Sequence, residues 1–229
     1  MTKKAVILLS GGLDSTTVLG IAHAEGYELH ALSFDYGQRH QREIDAANAV
    51  ARHYGVTQHK TITIDLRAFG GSALTADIAI PHARSLEEMA HDIPITYVPA
   101  RNTILLSFAL AYAEVGGAND IFLGINAIDY SGYPDCRPAY LEAYERMANL
   151  ATRASTQDKR SLHIHAPLLH MSKADIVRKG TELGVPYELT WSCYEGHQHA
   201  CGSCDSCLLR LNGFAEAGLS DPIVYEQPV

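Results

Sequence analysis

Residues 5–9 read Ala-Val-Ile-Leu-Leu, an apolar run with no polar break, and Ser10-Gly11-Gly12 ends it at once. A strand with one wet face alternates polar and apolar residues. A run of this kind instead suits a strand covered on both faces, as in a parallel sheet. Parallel strands need long crossovers, most often helices, so the run commits the chain to alternating strands and helices. The sequence supplies them: a helical pattern over 15–24, a strand over 29–34, a polar but periodic surface helix over 41–54 stopped by Gly55, and a strand over 60–64. A long apolar helix over 102–115 ends at Gly116-Gly117, and a strand over 120–124, a helix over 138–151, a strand over 162–167 and a helix over 173–183 come after it. This alternation predicts an α/β fold with a doubly wound parallel sheet.

Residues 66–99 break the pattern with Gly70-Gly71, Pro81 and Pro94, and are expected to form a long loop or lid. The chain of 229 residues accommodates one large α/β domain over 1–185 and a small cysteine-bearing segment over 186–229 packed on it. A formal net charge of −8 argues against a surface that neutralises many phosphates, so a small-molecule substrate is expected and no nucleic acid. The five apolar residues near the N-terminus are too few for a signal-peptide core or a bilayer span. The expectation is a cytoplasmic protein without a membrane partner.

Ser10-Gly11-Gly12-Leu13-Asp14-Ser15-Thr16 lies between the first strand and the first helix, where backbone N–H groups and the helix dipole point at a bound anion. Two glycines let the backbone approach phosphates closely. The grip of a Walker loop is missing, because no Lys follows the glycines. SGGLDS resembles the PP-loop of the ATP pyrophosphatase superfamily, whose members have the adenine nucleotide alpha hydrolase-like fold, cleave ATP between its α- and β-phosphates and pass AMP to a substrate oxygen. The resemblance implies an ATP site over Leu8, Leu9, Ser10, Gly11, Gly12, Leu13, Asp14, Ser15, Thr16, Thr17 and Val18, with Asp14 helping to position Mg2+.

Four further segments narrow the substrate: Phe34-Asp35-Tyr36-Gly37-Gln38-Arg39-His40, Val98-Pro99-Ala100-Arg101-Asn102, Asp129-Tyr130-Ser131-Gly132-Tyr133-Pro134-Asp135-Cys136-Arg137, and a cysteine cluster. All but the cluster fall where loops leave strands or enter helices, which is where open α/β sheets bind ligands. With SGGLDS they are similar to the 7-cyano-7-deazaguanine synthase family over about residues 5–214. That likeness implies a homodimeric carbon–nitrogen ligase of queuosine and archaeosine precursor synthesis, which takes ATP, ammonia and 7-carboxy-7-deazaguanine. It also implies catalytic roles for Asp14, for Arg101 at a helix start on the phosphates or adenylate, and for Lys173 as a second phosphate-contacting lysine. Asp135 suits the N1–H and exocyclic amine of a guanine-like ring, and Arg137 suits a carboxylate; the plainer reading of this run is a turn with a local ion pair. Ala100 stands where many relatives have glycine, which predicts a slightly different loop conformation there. Cys136 is expected to be a buried structural thiol, and without a glutaminase-like domain the nitrogen donor is expected to be free ammonia.

Cys193-x7-Cys201-x2-Cys204-x2-Cys207 offers four soft ligands within fifteen residues. Four thiolates close a tetrahedral structural zinc site, although C-x2-C-x2-C also opens an iron–sulfur run. The family resemblance favours one structural Zn2+ per chain, with His197 and His199 facing solvent or lying outside the ligand set. Two other readings stay open on sequence: a PP-loop tRNA thiolase or other adenylating, amidating synthetase, and a zinc-stabilised nucleotide-binding module without turnover.

Overall fold

The computed structural model describes residues 3–38, 41–85, 88–89, 93–127 and 133–226. The described strands are β1 (Lys4–Leu8), β2 (Glu28–Asp35), β3 (Gln58–Thr63), β4 (Asp120–Phe122) and β5 (His163–His165). They form one parallel sheet in the order β3-β2-β1-β4-β5. The described helices are α1 (Leu13–Ala24), α2 (Arg42–His53), α3 (Arg101–Gly116), α4 (Pro138–Ala151), the single turn α5 (Arg153–Thr156), α6 (Lys173–Glu182) and α7 (Asp205–Glu216). None is long and apolar enough to cross a membrane. The doubly wound α/β architecture expected from the alternation is the one observed.

β1 sits at the centre, and its two-residue period explains the apolar run. Ala5, Ile7 and Leu9 face one core with α1, α2 and α6, while Val6 faces a second core with α3 and α4. Both faces are covered, so no polar residue is tolerated at 5–9. β3 at the edge shows the opposite behaviour, with exposed and half-buried positions along its length. β4 and β5 are shorter than the sequence predicts. Pro167 has no N–H for a ladder, and the Asn126 side chain takes the Leu168 carbonyl at 3.2 Å, replacing strand pairing with a side-chain bond.

Residues 66–99 contain a short 3-10 turn, Leu66–Ala68, begun by Asp65, whose carboxylate accepts from the Arg67 N–H. Beyond this turn, described residues between 73 and 84 are tied to the cysteine segment. Ala73 and Ile80 pack among the four clustered cysteines. Ala83 N–H donates to the Ser203 carbonyl at 2.8 Å, and Arg84 pairs with Asp205, Nε to Oδ1 at 3.1 Å.

The order of the strands reverses between β1 and β4, since the chain winds outward from β1 to one edge and then returns to fill the other. A doubly wound sheet leaves its crevice at the carboxyl ends of that pair. The candidate site lies there.

Candidate active site and metal centre

A cavity of about 230 Å³ opens at the end of β1, and Leu8, Leu9, Ser10, Gly12, Leu13, Asp14 and Ser15 form part of its wall. The loop is held by its own hydroxyls: Ser10 N–H donates to Ser15 Oγ at 3.2 Å, Gly12 N–H to Ser10 Oγ at 3.3 Å, and Ser15 Oγ to the Gly12 carbonyl at 3.2 Å. No side chain caps the start of α1, so its first-turn N–H groups face the cavity as donors for an anion. Gly11 has a reason other than the one expected from sequence. Its φ is +83°, and a Cβ there would lie 2.4 Å from the Ala47 nitrogen and 2.5 Å from the Glu43 carbonyl. The residue is glycine because the loop crosses the backbone of α2. The remaining residues of the predicted ATP segment turn away from the cavity. Thr16 is buried, Thr17 Oγ1 bonds to the Leu13 carbonyl and Tyr187 hydroxyl at 2.9 and 2.8 Å, and Val18 belongs to the core.

Lys173 opens α6, where Ser172 and Asp175 form a reciprocal capping box that fixes the helix start. Its ammonium donates to both oxygens of Asp14, at 2.8 and 2.9 Å, and the residue is only 7% exposed. Two residues far apart in sequence thus form one buried ion pair on the cavity wall. The stem of Lys173 runs across Gly213 of α7, where a Cβ would lie 2.3 Å from Lys173 Cγ.

Arg101 begins α3 and enters the same cavity from the opposite side of the sheet. Its Nη1 donates to the Tyr36 hydroxyl at 3.4 Å, and the guanidinium lies 5.8 Å from the centre of that ring. Among the described residues no carboxylate comes within ion-pair distance of it. Ala100, the residue before it, has φ +54° and ψ +20°. The alanine therefore adopts the left-handed conformation that glycine reaches at lower cost.

Asp135 and Arg137 do not line this cavity. Both border a neighbouring hollow with Tyr97, Ala100, Thr103, Pro134, Ala139 and Tyr140. Asp135 is 5% exposed; its Oδ2 accepts from the Asn102 N–H at 3.1 Å and so caps α3, while its Oδ1 has no partner among the described residues. Arg137 is exposed and donates from Nε to the Pro134 carbonyl at 3.0 Å; no ion pair joins the two residues. Arg39, His40 and Asp129 to Gly132 lie outside the described residues. Cys136 is buried on the cavity wall beside the Asn102 amide, and burial, with Asp135 adding to it, pushes its thiol up to about 12. That thiol stays protonated at neutral pH.

Cys193, Cys201, Cys204 and Cys207 are all buried, and their sulfurs lie within 4.8 Å of one another, with Cys201 and Cys207 Sγ at 3.9 Å. A tetrahedron of sulfurs about 2.3 Å from zinc has edges of about 3.8 Å, so the four residues fit such an ion. Hydrogen bonds from Cys204 and Cys207 hold the Cys193 thiol well below the usual range, and bonding to Cys193 pushes Cys204 up to about 12. A divalent cation bound by the four sulfurs would take the place of the thiol protons that otherwise link them.

A profile of the family described as "Queuosine biosynthesis protein QueC" matches residues 4–218. The chain belongs to the QueC family. Among curated relatives, the 7-cyano-7-deazaguanine synthase of Kineococcus radiotolerans is 63% identical over 227 residues, covering 98% of this chain and 99% of its own. The 7-cyano-7-deazaguanine synthase of Thermoplasma acidophilum is 59% identical over 225 residues, covering 98% and 93%. Among solved structures, a 4-thiouridine synthetase–RNA complex with bound ATP aligns with TM-score 0.50 and 19% identity, over 97% of this chain and 47% of that one. This last likeness is one of fold.

Sequence reasoning missed part of the cavity's lining. Glu43, Trp191, Ser192, Tyr194, Ser206 and Arg210 also line the cavity. The Trp191 N–H donates to the Gly11 carbonyl at 2.9 Å, which ties the segment before Cys193 directly to the phosphate loop. Arg210, 2% exposed, is held by Asp221 at 2.7 and 2.9 Å and donates to Thr190 Oγ1 at 2.6 Å. An arginine inside an amphipathic helix reads as a solvated charge; only the approach of Asp221 reveals a buried pair. Glu43 looked like one polar residue of a surface helix for the same reason.

Proposed function

We propose that the chain is an ATP-dependent carbon–nitrogen ligase that makes 7-cyano-7-deazaguanine from 7-carboxy-7-deazaguanine and ammonia. It is an enzyme of a family whose relatives, at 63% and 60% identity, are named for that product. One observation carries the ATP-dependent chemistry. A single cavity at the switch point holds the serine–glycine loop, the Asp14–Lys173 pair and Arg101 on its walls. In this reading the first-turn N–H groups of α1 and the hydroxyls of Ser10 and Ser15 hold the phosphates that leave as pyrophosphate. Lys173 and Arg101 offset the charge that gathers as a substrate oxygen attacks the α-phosphate. Asp14 keeps Lys173 aimed, and the Mg2+ that accompanies ATP would supply further charge neutralisation when bound.

A carboxylate has two oxygens and a nitrile has none, and neither oxide nor hydroxide leaves unaided. Each oxygen therefore needs its own activation as AMP. The carboxylate becomes an acyl-adenylate, ammonia converts it to the amide, and the amide oxygen attacks a second ATP in the same site. Loss of AMP with a proton then leaves the nitrile. Free ammonia is the donor in this reading, and the cysteine cluster holds one structural Zn2+.

Mass spectrometry of the products formed from ATP, ammonium and 7-carboxy-7-deazaguanine tests it. The expected outcome is the nitrile with two AMP and two pyrophosphate per turnover, and acceptance of the synthetic amide as a substrate. ADP and phosphate as products, or an amide neither formed nor consumed, overturns the reading.

A further inference from the structure

Amination places a demand on the cavity that neither the loop nor the Asp14–Lys173 pair meets. When ammonia adds to an acyl-adenylate, nitrogen becomes cationic, and the amide forms only if an N–H proton departs. The acceptor must line the cavity and keep an available lone pair at neutral pH. Among the described residues the candidates are few. Both oxygens of Asp14 are engaged by Lys173, and Arg101, Lys173 and Arg210 are cations. The phenols on the wall are hydroxyls at neutral pH, and burial pushes Tyr36 and Cys136 each up to about 12 and raises Tyr133. No histidine lines the cavity among the described residues.

Glu43 remains. It is the second residue of α2, half-buried and on the cavity wall. Its backbone is fixed beside the phosphate loop, since the Glu43 carbonyl would touch a Cβ on Gly11 at 2.5 Å. The carboxyl makes no hydrogen bond or ion pair with the described residues, although Arg101 belongs to the same cavity. Arg42, its neighbour on α2, sits over the Trp191 ring at 5.0 Å instead. A carboxyl left without a partner at the edge of a buried site is costly unless a ligand uses it. Burial raises it to about 7, against the pull of Arg101 from α3; Cys193 of the cysteine segment and Tyr36 beyond β2 also face it among the described residues. A carboxyl near neutrality both accepts and releases a proton readily.

We propose that Glu43 is the proton acceptor of the amination step, an assignment that rests on the ligase reading above. The ammonia lone pair forms the C–N bond. The bond from carbon to the phosphate oxygen breaks, and its electron pair leaves with AMP. The proton from nitrogen passes to the Glu43 carboxylate and on to solvent, so the sum is acyl-adenylate plus ammonia giving amide, AMP and a proton.

The test separates the two half-reactions in the full-length protein. Isotope exchange between pyrophosphate and ATP, dependent on 7-carboxy-7-deazaguanine and run without ammonium, reports adenylation. Rapid-quench amide formation with ammonium reports amination. Glu43→Gln is expected to slow amination about 100-fold or more while exchange falls less than tenfold, and Glu43→Asp is expected to recover at least a tenth of the wild-type amination rate. Hydroxylamine, a better nucleophile whose adduct is more acidic, is expected to lose less in Glu43→Gln than ammonia does. Amination at the wild-type rate in Glu43→Gln overturns the assignment. So does an equal loss of exchange and amination, or an equal loss with both nucleophiles, because a merely structural role gives that pattern. A wild-type protein without substrate-dependent exchange overturns the ligase reading itself, and this assignment with it.

Discussion

Asp14 and Lys173 lie 159 positions apart in the chain, and their ion pair offsets the cost of taking the lysine out of water. Removing one partner of a buried pair leaves an uncompensated charge, at a cost of about 3–5 kcal/mol, whereas replacing both by apolar or neutral groups is often nearly neutral. Sequence alone places Asp14 in the phosphate loop as an electrostatic residue. The ion pair makes it a structural residue too. Asp14→Asn is therefore expected to abolish pyrophosphate release and to lower the melting temperature, while Asp14→Asn with Lys173→Met recovers most of the stability and none of the activity. Thermal unfolding of the three proteins beside the exchange assay checks this; a double variant no more stable than Asp14→Asn refutes the buried-pair argument. Ala100 makes a smaller case. An L-residue in the left-handed region costs about 1–2 kcal/mol, and glycine gives back roughly 0.5–1 kcal/mol through its freer unfolded chain. Ala100→Gly is expected to raise stability by about 0.5 kcal/mol in urea unfolding, with ATP chemistry unchanged.

At the scale of elements, the site depends on how α6 and α7 meet. The capping box at Ser172 and Asp175 starts α6 where Lys173 can turn toward α1, and Gly213 of α7 leaves a groove for the lysine stem. The contact is to Cβ and Cγ of Lys173, close to the backbone, so the side chain has little room to give way. Gly213→Ala is expected to cost about 1–3 kcal/mol by overpacking and to slow adenylation more than tenfold by moving the ammonium from Asp14. Gly213→Ala is helix-favouring in itself, so unchanged stability with unchanged exchange is the result that removes this role. α3 is placed from a distance as well. Its first residue has no side-chain cap of its own, and the Asp135 carboxylate supplies one to the Asn102 N–H. The acid expected to read a guanine-like edge is thus engaged, through one oxygen, in holding the helix that carries Arg101.

For the molecule as a whole, the cysteine cluster ties remote parts of the chain into one wall. Residues before Cys193 bond to the phosphate loop through Trp191, and residues 73–84 pack on the cysteines and pair with Asp205. A metal ion bound by the four sulfurs would hold these segments in register, since structural metal binding adds directly to folding free energy. Treatment with a strong chelator, or Cys204→Ala, is expected to lower thermal stability and solubility and to raise hydrogen exchange at residues 72–84 and 190–194 before it does so in β1 and β2. Metal analysis is expected to give one zinc per chain. Stoichiometric iron and sulfide, or exchange that rises uniformly along the chain, contradicts this account.

Local patterns carried much of this protein's design. The apolar run at 5–9 requires two covered faces, the Ser10–Ser15 loop requires a helix after it, and four cysteines at short spacing converge because short loops leave them little choice. Those features depend on residues close together in the chain, where backbone geometry and side-chain period speak directly. Tertiary packing alone decided which polar residues are buried and with whom: Lys173 with Asp14, Arg210 with Asp221, Asp135 on Asn102, and Glu43 on the cavity wall with no partner among the described residues. Each of these charges sits on a helix or loop whose sequence looks solvated. Only when elements from distant parts of the chain pack together does water leave, and the strength and meaning of each charge are set at that point.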